Sequence, residues 1–255
     1  MNHFRIFILI LILLGFYNTK AQIFYEHEFG FNTGIYQLRS DYGIDQDSET
    51  NFGNQGVAFS FSYYLNMASR RTANKFQQHF KYRLDLIFAS VDLEHYGPYI
   101  SDPRLDAMTG SFTNLGFGAG LEFYPFGVNV QSLSRYASFF EKFSPYTSVG
   151  LGVNMVTPSA ESSLEGGLNN ISNVFPTFIP ETEDNGINTE NRTVGSLNLR
   201  VGTRYRISSR GGLMLESSWM LFGSDLVDGL SPIGPQNKNN DWSWGINIGY
   251  TYLLF

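Results

Sequence analysis

The strongest constraint on this chain is an alternation of period two in which the large side chains keep to one parity. In Gln55–Leu65, the residues Val57, Phe59, Phe61, Tyr63 and Leu65 alternate with Gly56, Ala58, Ser60, Ser62 and Tyr64. Asn114–Pro125 sets Leu115, Phe117, Ala119, Leu121 and Phe123 against Asn114, Gly116, Gly118, Gly120 and Glu122. Tyr146–Met155, Arg192–Ile207 and the last segment, with Trp244, Ile246, Ile248, Tyr250 and Tyr252 on one parity, repeat the pattern. Successive side chains of a strand point to opposite faces, so each segment has an apolar face and a polar one. With His27–Leu38, Phe80–Glu94 and Gly212–Phe222, eight strands are predicted.

A soluble sandwich also alternates, but it needs its large side chains inside. Here the second face carries Gly, Ser, Asn and scattered charge, which suits the narrow interior of a barrel of about eight strands, with the aromatics turned outward to lipid. Charged residues make up only 16% of the chain, equal to the aromatics and well below the roughly 25% usual in soluble domains. The expected fold is all-β: a transmembrane antiparallel up-and-down barrel of about eight strands, both termini periplasmic. The aromatic load excludes disorder. The lack of cysteine excludes disulfides, thiolate metal sites and thiol nucleophiles. A net charge of −6 argues against nucleic-acid binding.

Residues 1–21 read as a cleaved secretory signal. Arg5 is the positive start, Ile6–Tyr17 is apolar apart from Gly15, and Asn18-Thr-Lys-Ala21 is polar and ends on a small residue. The apolar run is too short to span a bilayer. Residues 22–255 are then the barrel domain. Loop lengths assign 39–53, 96–110, 156–192 and 222–240 to the outside, and 66–79, 126–144 and 208–211 to the periplasm. The outer set is acidic, including Asp41, Asp45, Asp47, Glu161, Glu165, Glu181, Glu183 and Asp184. The inner set holds Arg70, Arg71, Lys75, Arg135, Lys142 and Arg210 against Glu141. Gln131–Lys142 has the pattern of a short amphipathic helix.

The whole span resembles the small eight-stranded outer-membrane β-barrels of Gram-negative bacteria, OmpX- and OmpA-like in architecture. The most specific part is the end, Trp242-Ser-Trp-Gly-Ile-Asn-Ile-Gly-Tyr-Thr-Tyr-Leu-Leu-Phe255. It is similar to the terminal signal read by the barrel-assembly machinery, which assigns Tyr250, Tyr252, Leu254 and Phe255 to assembly. Phe255 departs from that pattern, standing one residue out of phase with the lipid-facing series. The resemblance implies the outer membrane as location, its lipids and lipopolysaccharide as surroundings, an envelope protein as partner, and no cofactor.

Following the polar parity inward places Glu28, Lys81, Arg83, Asp85, Glu122, Arg200, Arg204 and Glu216 in the lumen, most of them near the periplasmic ends of their strands. Ionised groups in so narrow a space must pair, because an unpaired buried charge costs several kcal/mol. A charge network plugging the lower half of the barrel is therefore expected. Tyr63, Tyr64, Phe123, Tyr124, Trp219, Trp242 and Trp244 lie near strand ends and fit aromatic girdles at the two membrane interfaces.

Chemistry is thin. Small barrels include lipid A-modifying enzymes with a lipid-facing Ser and His. Only His95, beside Glu94 at the outer end of the third strand, is so placed, and its i+2 neighbour is Gly97. Asp45-Gln-Asp47-Ser-Glu49 is oxygen-rich but lacks the glycine turn and spacing of a calcium loop. Gly116-Phe-Gly-Ala-Gly120 lies within a strand with no helix after it, so it is lumen packing rather than a nucleotide loop. No metal site or catalytic set is predicted. The readings left open are a structural or interaction role with a closed lumen, a small-solute or hydrophobic-ligand channel, and a lipid A-modifying enzyme.

Overall fold

The computed structural model describes residues 26–42, 53–67, 74–95, 102–128, 142–179, 186–231 and 240–254. Its strands are β1 (Glu26–Arg39), β2 (Gln55–Asn66), β3 (Phe80–Glu94), β4 (Met108–Phe123), β5 (Phe143–Ser162), β6 (Arg192–Arg206), β7 (Gly211–Phe222) and β8 (Trp242–Leu253). Each is antiparallel to its neighbours, and β8 pairs with β1 to close the barrel. The expected leader 1–21, Asp45–Glu49, Phe255 and nearly all of the expected 131–142 helix lie outside the described residues.

Closure dictates tilt. Paired residues traced around the wall run from Glu28 through Tyr64, Arg83, Gly120, Gly150, Asn198, Met220 and Ser243. The circuit returns to β1 at Leu38, ten residues beyond its start. In an eight-stranded wall a stagger of that size tilts the strands by about 40° and leaves an interior that side chains can fill. One end, the terminal rim, holds the start of β1, the end of β8 and the tight 207–210 turn. The other, the loop rim, carries the connection between β5 and β6.

β4 and β5 pair from Phe123↔Thr147 out to Met108↔Ser162, well past the predicted ends at Asn114 and Met155. The reason lies in β3. Its outward side chains begin as Tyr82, Leu84, Leu86 and Phe88, all exposed, and finish as Ser90, Asp92 and Glu94. Its inward ones begin as Lys81, Arg83 and Asp85 and finish as Ile87, Ala89, Val91 and Leu93, all buried. The alternation never breaks, but the polarity of the two faces exchanges near residues 87–90. β4 and β5 do the same, with Thr109, Thr157 and Glu161 outward and Phe112 and Val156 inward beyond the exchange. Below it the wall is apolar outside. Above it the wall is polar outside and apolar inside, like a soluble protein. A strand search that demands one apolar parity stops at the exchange, and so loses the upper ends.

Two short helices edge the rims. α1 (Lys75–His79) is closed by a capping box in which the Asn74 side chain accepts from the Gln77 N–H and the Gln77 side chain accepts from the Asn74 N–H. α2 (Pro103–Asp106) starts on Asp102, whose carboxylate accepts from the Arg104 N–H.

Candidate functional site

The lumen is built in three storeys. Nearest the terminal rim, Lys81, Arg83, Arg200 and Arg204 meet Glu28, Asp85, Glu122 and Glu216, all inside and all buried. Arg83 binds Asp85 through Nε at 2.7 Å and Glu122 through Nη1 at 3.1 Å, and also reaches Glu216. Arg200 holds Asp85 at 3.0 Å. Arg204 spans Glu28 at 3.0 Å and Glu122 at 2.8 Å, and Lys81 completes Glu28 at 2.6 Å. Four positive and four negative groups thus leave no net charge. β3 and β7 stand on opposite sides of an eight-stranded wall, so the Arg83–Glu216 pair crosses the full lumen and fills it.

Aromatics complete the storey. Tyr64 and Tyr124, grouped by sequence with the girdle, point inward instead: Tyr64 lies on the luminal parity, and Tyr124 donates its hydroxyl to Glu122 at 2.7 Å. Tyr146 donates to Glu216 at 2.7 Å and Ser62 to Asp85 at 2.6 Å. The Arg204 guanidinium lies 4.1 Å above the Tyr64 ring. Every carboxylate has more than one donor, the condition under which buried charge is tolerated.

Above this lies a layer of glycine and asparagine. Asn32 faces Gly249, Asn247 faces Gly34 and Asn154 faces Gly116 across adjacent strands. A Cβ on Gly249 would collide with the Asn32 amide, and one on Gly116 with that of Asn154. The glycines that look like slack in the sequence are the places where a neighbouring amide lies down. Asn32 then donates to Ser60 at 3.0 Å and Asn154 to Ser196 at 2.8 Å.

The third storey is an apolar core that the sequence reading of a polar lumen did not anticipate. Tyr36, Leu38, Ile87, Val91, Leu93, Phe112, Val194 and Phe222 pack together, and Val174, Phe178, Val227 and Leu230 descend on them from two loops. The Tyr36 and Phe112 rings stack at 6.2 Å with 2° between planes, and Phe112 meets Phe222 at 5.9 Å. The two loops are joined by Asn188 N–H to Gly229 O (2.8 Å) and Ser231 N–H to Gly186 O (2.9 Å). The one visible signal was the exchange of polarity along Phe80–Glu94.

A knot of carboxylates ties the cap to the wall. Asp228, fully buried, accepts from the Asp41 N–H at 2.9 Å and the Leu230 N–H at 2.8 Å, and Asp241 accepts from the Val227 N–H at 3.1 Å. Burial, with Asp228 and Asp225 beside it, pushes Asp41 up to about 8. Burial also pushes Asp228 up to about 7, and Asp241 is held well above its ordinary range for the same reason. His95 does not face lipid. It packs inside the cap against Tyr42 (4.8 Å) and Phe178 (6.4 Å), where burial depresses it to about 4 and keeps the ring neutral.

The surroundings of the barrel are decided by its exterior. Below the polarity exchange, Phe31, Phe61, Leu84, Phe117, Leu151 and Ile248 stand exposed, the last two at 69% and 64%. An apolar belt of this extent, on a closed wall with no free edge, is stable only in hydrocarbon. The chain is a transmembrane barrel of the outer-membrane type. Its belt is edged at both rims. Trp219 lies opposite Trp244 and Leu221 opposite Trp242 near the loop rim, with Arg39 5.5 Å above the Trp242 ring. Phe123 and Tyr63 lie toward the terminal rim, Tyr63 bonded to His27 at 2.6 Å. Tyr250 and Tyr252 face outward, and the Leu254 N–H donates to His27 O at 2.8 Å.

No protein-family model and no curated protein matches the chain. Among solved structures it is similar to Ail, the attachment invasion locus protein of Yersinia pestis, at 13% identity and a TM-score of 0.43, covering 90% of this chain and 99% of that one. Neisserial surface protein A is 12% identical at 0.44, covering 89% and 96%. The outer membrane protein OprG from Pseudomonas aeruginosa is 15% identical at 0.41, covering 89% and 95%.

Proposed function

We propose that this is a non-conducting outer-membrane protein whose working part is the head on its loop rim, an interaction role rather than transport or catalysis. The observation that carries this reading is the double seal of the lumen. Salt bridges cross it in the lower storey, and the apolar core fills it in the upper one. A pore needs a continuous wetted path, and both ends of this one are filled by protein. What the seal supports is a structured platform: β3, β4 and β5 rise past the belt, and the 3₁₀ turns at 167–169, 171–173 and 176–178 fold over them. The platform presents Ser, Thr and carboxylates on its flanks and Ile171, 66% exposed, on its surface. In this reading the loop rim faces the outside and the terminal rim the periplasm.

Planar-bilayer recording combined with whole-cell labelling tests it. Reconstituted protein is expected to give no stable conductance steps. A membrane-impermeant maleimide is expected to label Ile171→Cys on intact cells, and Ser209→Cys only after the outer membrane is permeabilised. Ion-selective steps would make the barrel a channel, and labelling of Ser209→Cys on intact cells would invert the orientation.

A further inference from the structure

The terminal rim carries a rigid aromatic projection that the strands do not require. Asn74 and α1 extend β3 below the belt, and residues 124–128 extend β4. The two are bonded together by Tyr124 N–H to His79 O and Val128 N–H to Gln78 O, both 2.7 Å. The 124–127 turn closes by Gly127 N–H to Tyr124 O at 3.0 Å, with Pro125 at its first corner and Gly127 at φ 83°. On this frame Phe126 is 81% exposed and Phe76 43%. A large apolar side chain held out by a braced turn, rather than folded back on the wall, marks a contact surface.

Its occupant follows from continuity and charge. Phe76 stacks on Phe80 at 4.4 Å, and Phe80 meets Phe123 at 5.1 Å, so the aromatic run descends without a gap from the lipid-facing belt. Lys75 is exposed on the same helix, and Lys142 and Arg210 lie at the same rim. Aromatic rings beside cations are the combination that settles at the boundary between headgroups and acyl chains, with the cations toward anionic phosphates.

We propose that this projection is a lipid anchor, in which Phe76 and Phe126 enter the headgroup boundary of an anionic phospholipid leaflet while Lys75 meets its phosphates. The anchor fixes the height and rotation of the barrel at its terminal rim, independently of what the head binds. It also gives the chain a preference for leaflets that carry negative charge.

The chain has no cysteine, so one nitroxide can be placed at will. Phe126→Cys and Phe76→Cys are labelled separately, each leaving the other ring in place, in vesicles of phosphatidylethanolamine and phosphatidylglycerol. Collision with oxygen is compared with collision with a water-soluble nickel chelate. Ile248→Cys marks the belt and Ser209→Cys the aqueous turn, and a heat-dependent gel shift confirms folding of each variant. Both labels are expected to give an oxygen-to-nickel ratio between the two controls, and to move toward the aqueous value when phosphatidylcholine replaces the anionic lipid. A ratio equal to that of Ser209→Cys, or shielding from both agents as in a protein contact, would overturn the anchor. A ratio unchanged by removing the anionic lipid would overturn its charge dependence.

Discussion

Arg83 shows how much a single residue decides in this lumen. It is buried to within 1% of full coverage and contacts three carboxylates on three strands. Lys81, two residues earlier, forms a salt bridge to one carboxylate, Glu28, and Glu28 keeps Arg204 without it. Breaking a buried network by removing one partner is costly because the charges left behind have no water to turn to. Arg83→Ala is therefore expected to lower unfolding free energy by about 3–5 kcal/mol. Lys81→Ala should cost only about 1.5–3 kcal/mol, the scale of one charged hydrogen bond. Urea titration of both variants in vesicles checks the order, and equal losses would show that the network does not centre on Arg83. All eight charged positions were legible in sequence because strand parity assigns a face to every residue. Their pairing was not, since Arg83–Glu216 and Arg204–Glu28 join strands far apart in the chain.

At the scale of the strand, glycine has two meanings that sequence does not separate. Gly120 faces Gly150 across β4 and β5, and a Cβ on Gly120 would come within 2.6 Å of Val149 O. Gly195, on the outer face of β6, has nothing within 4 Å of that position. Gly120→Val is expected to cost about 1–3 kcal/mol or to prevent folding, as overpacking does. Gly195→Ala should fall within about 0.5 kcal/mol of the parent. The fraction showing the heat-dependent gel shift after refolding reads both. An inert Gly120→Val would mean that β4 and β5 can separate to admit the side chain. The strands themselves were readable from period two. Their upper ends were missed because the medium outside the wall changes from lipid to water along a single strand, and the favoured parity changes with it.

The whole molecule joins two proteins of opposite polarity on one set of strands: an inside-out barrel in the membrane and an ordinary apolar core above it. The carboxylate knot of Asp41, Asp228 and Asp241 couples the head to the wall. A carboxyl whose folded pKa is raised contributes stability that is full below its unfolded value and is lost as pH rises through the folded one. For Asp41 and Asp228 the loss runs from about pH 4 and is complete just above 7–8. His95, depressed to about 4, acts in the opposite sense, losing its contribution as pH falls below about 6.5. Between about pH 6.5 and 8 the carboxyls act alone. Proteolytic nicking within 163–191 is expected to accelerate over that interval in the parent and to accelerate less in Asp228→Asn, whose amide is neutral at every pH while Asp41 and Asp241 still titrate. An equal acceleration in both would remove the knot from the account of the head.

Sequence by itself determined the strand number, the face of each residue and the outward turn of the aromatics, because these follow from a local repeat of two and from the mismatch between bulky and small parities. The eight luminal charges follow from the same rule. Tertiary structure alone decided which charges meet, which glycines receive a neighbouring amide, and where the lumen changes from charged to apolar. Those depend on the ten-residue stagger of the closed wall, which brings distant residues to one height, and on loops that fold back over the rim. Neither quantity is written in any single stretch of chain.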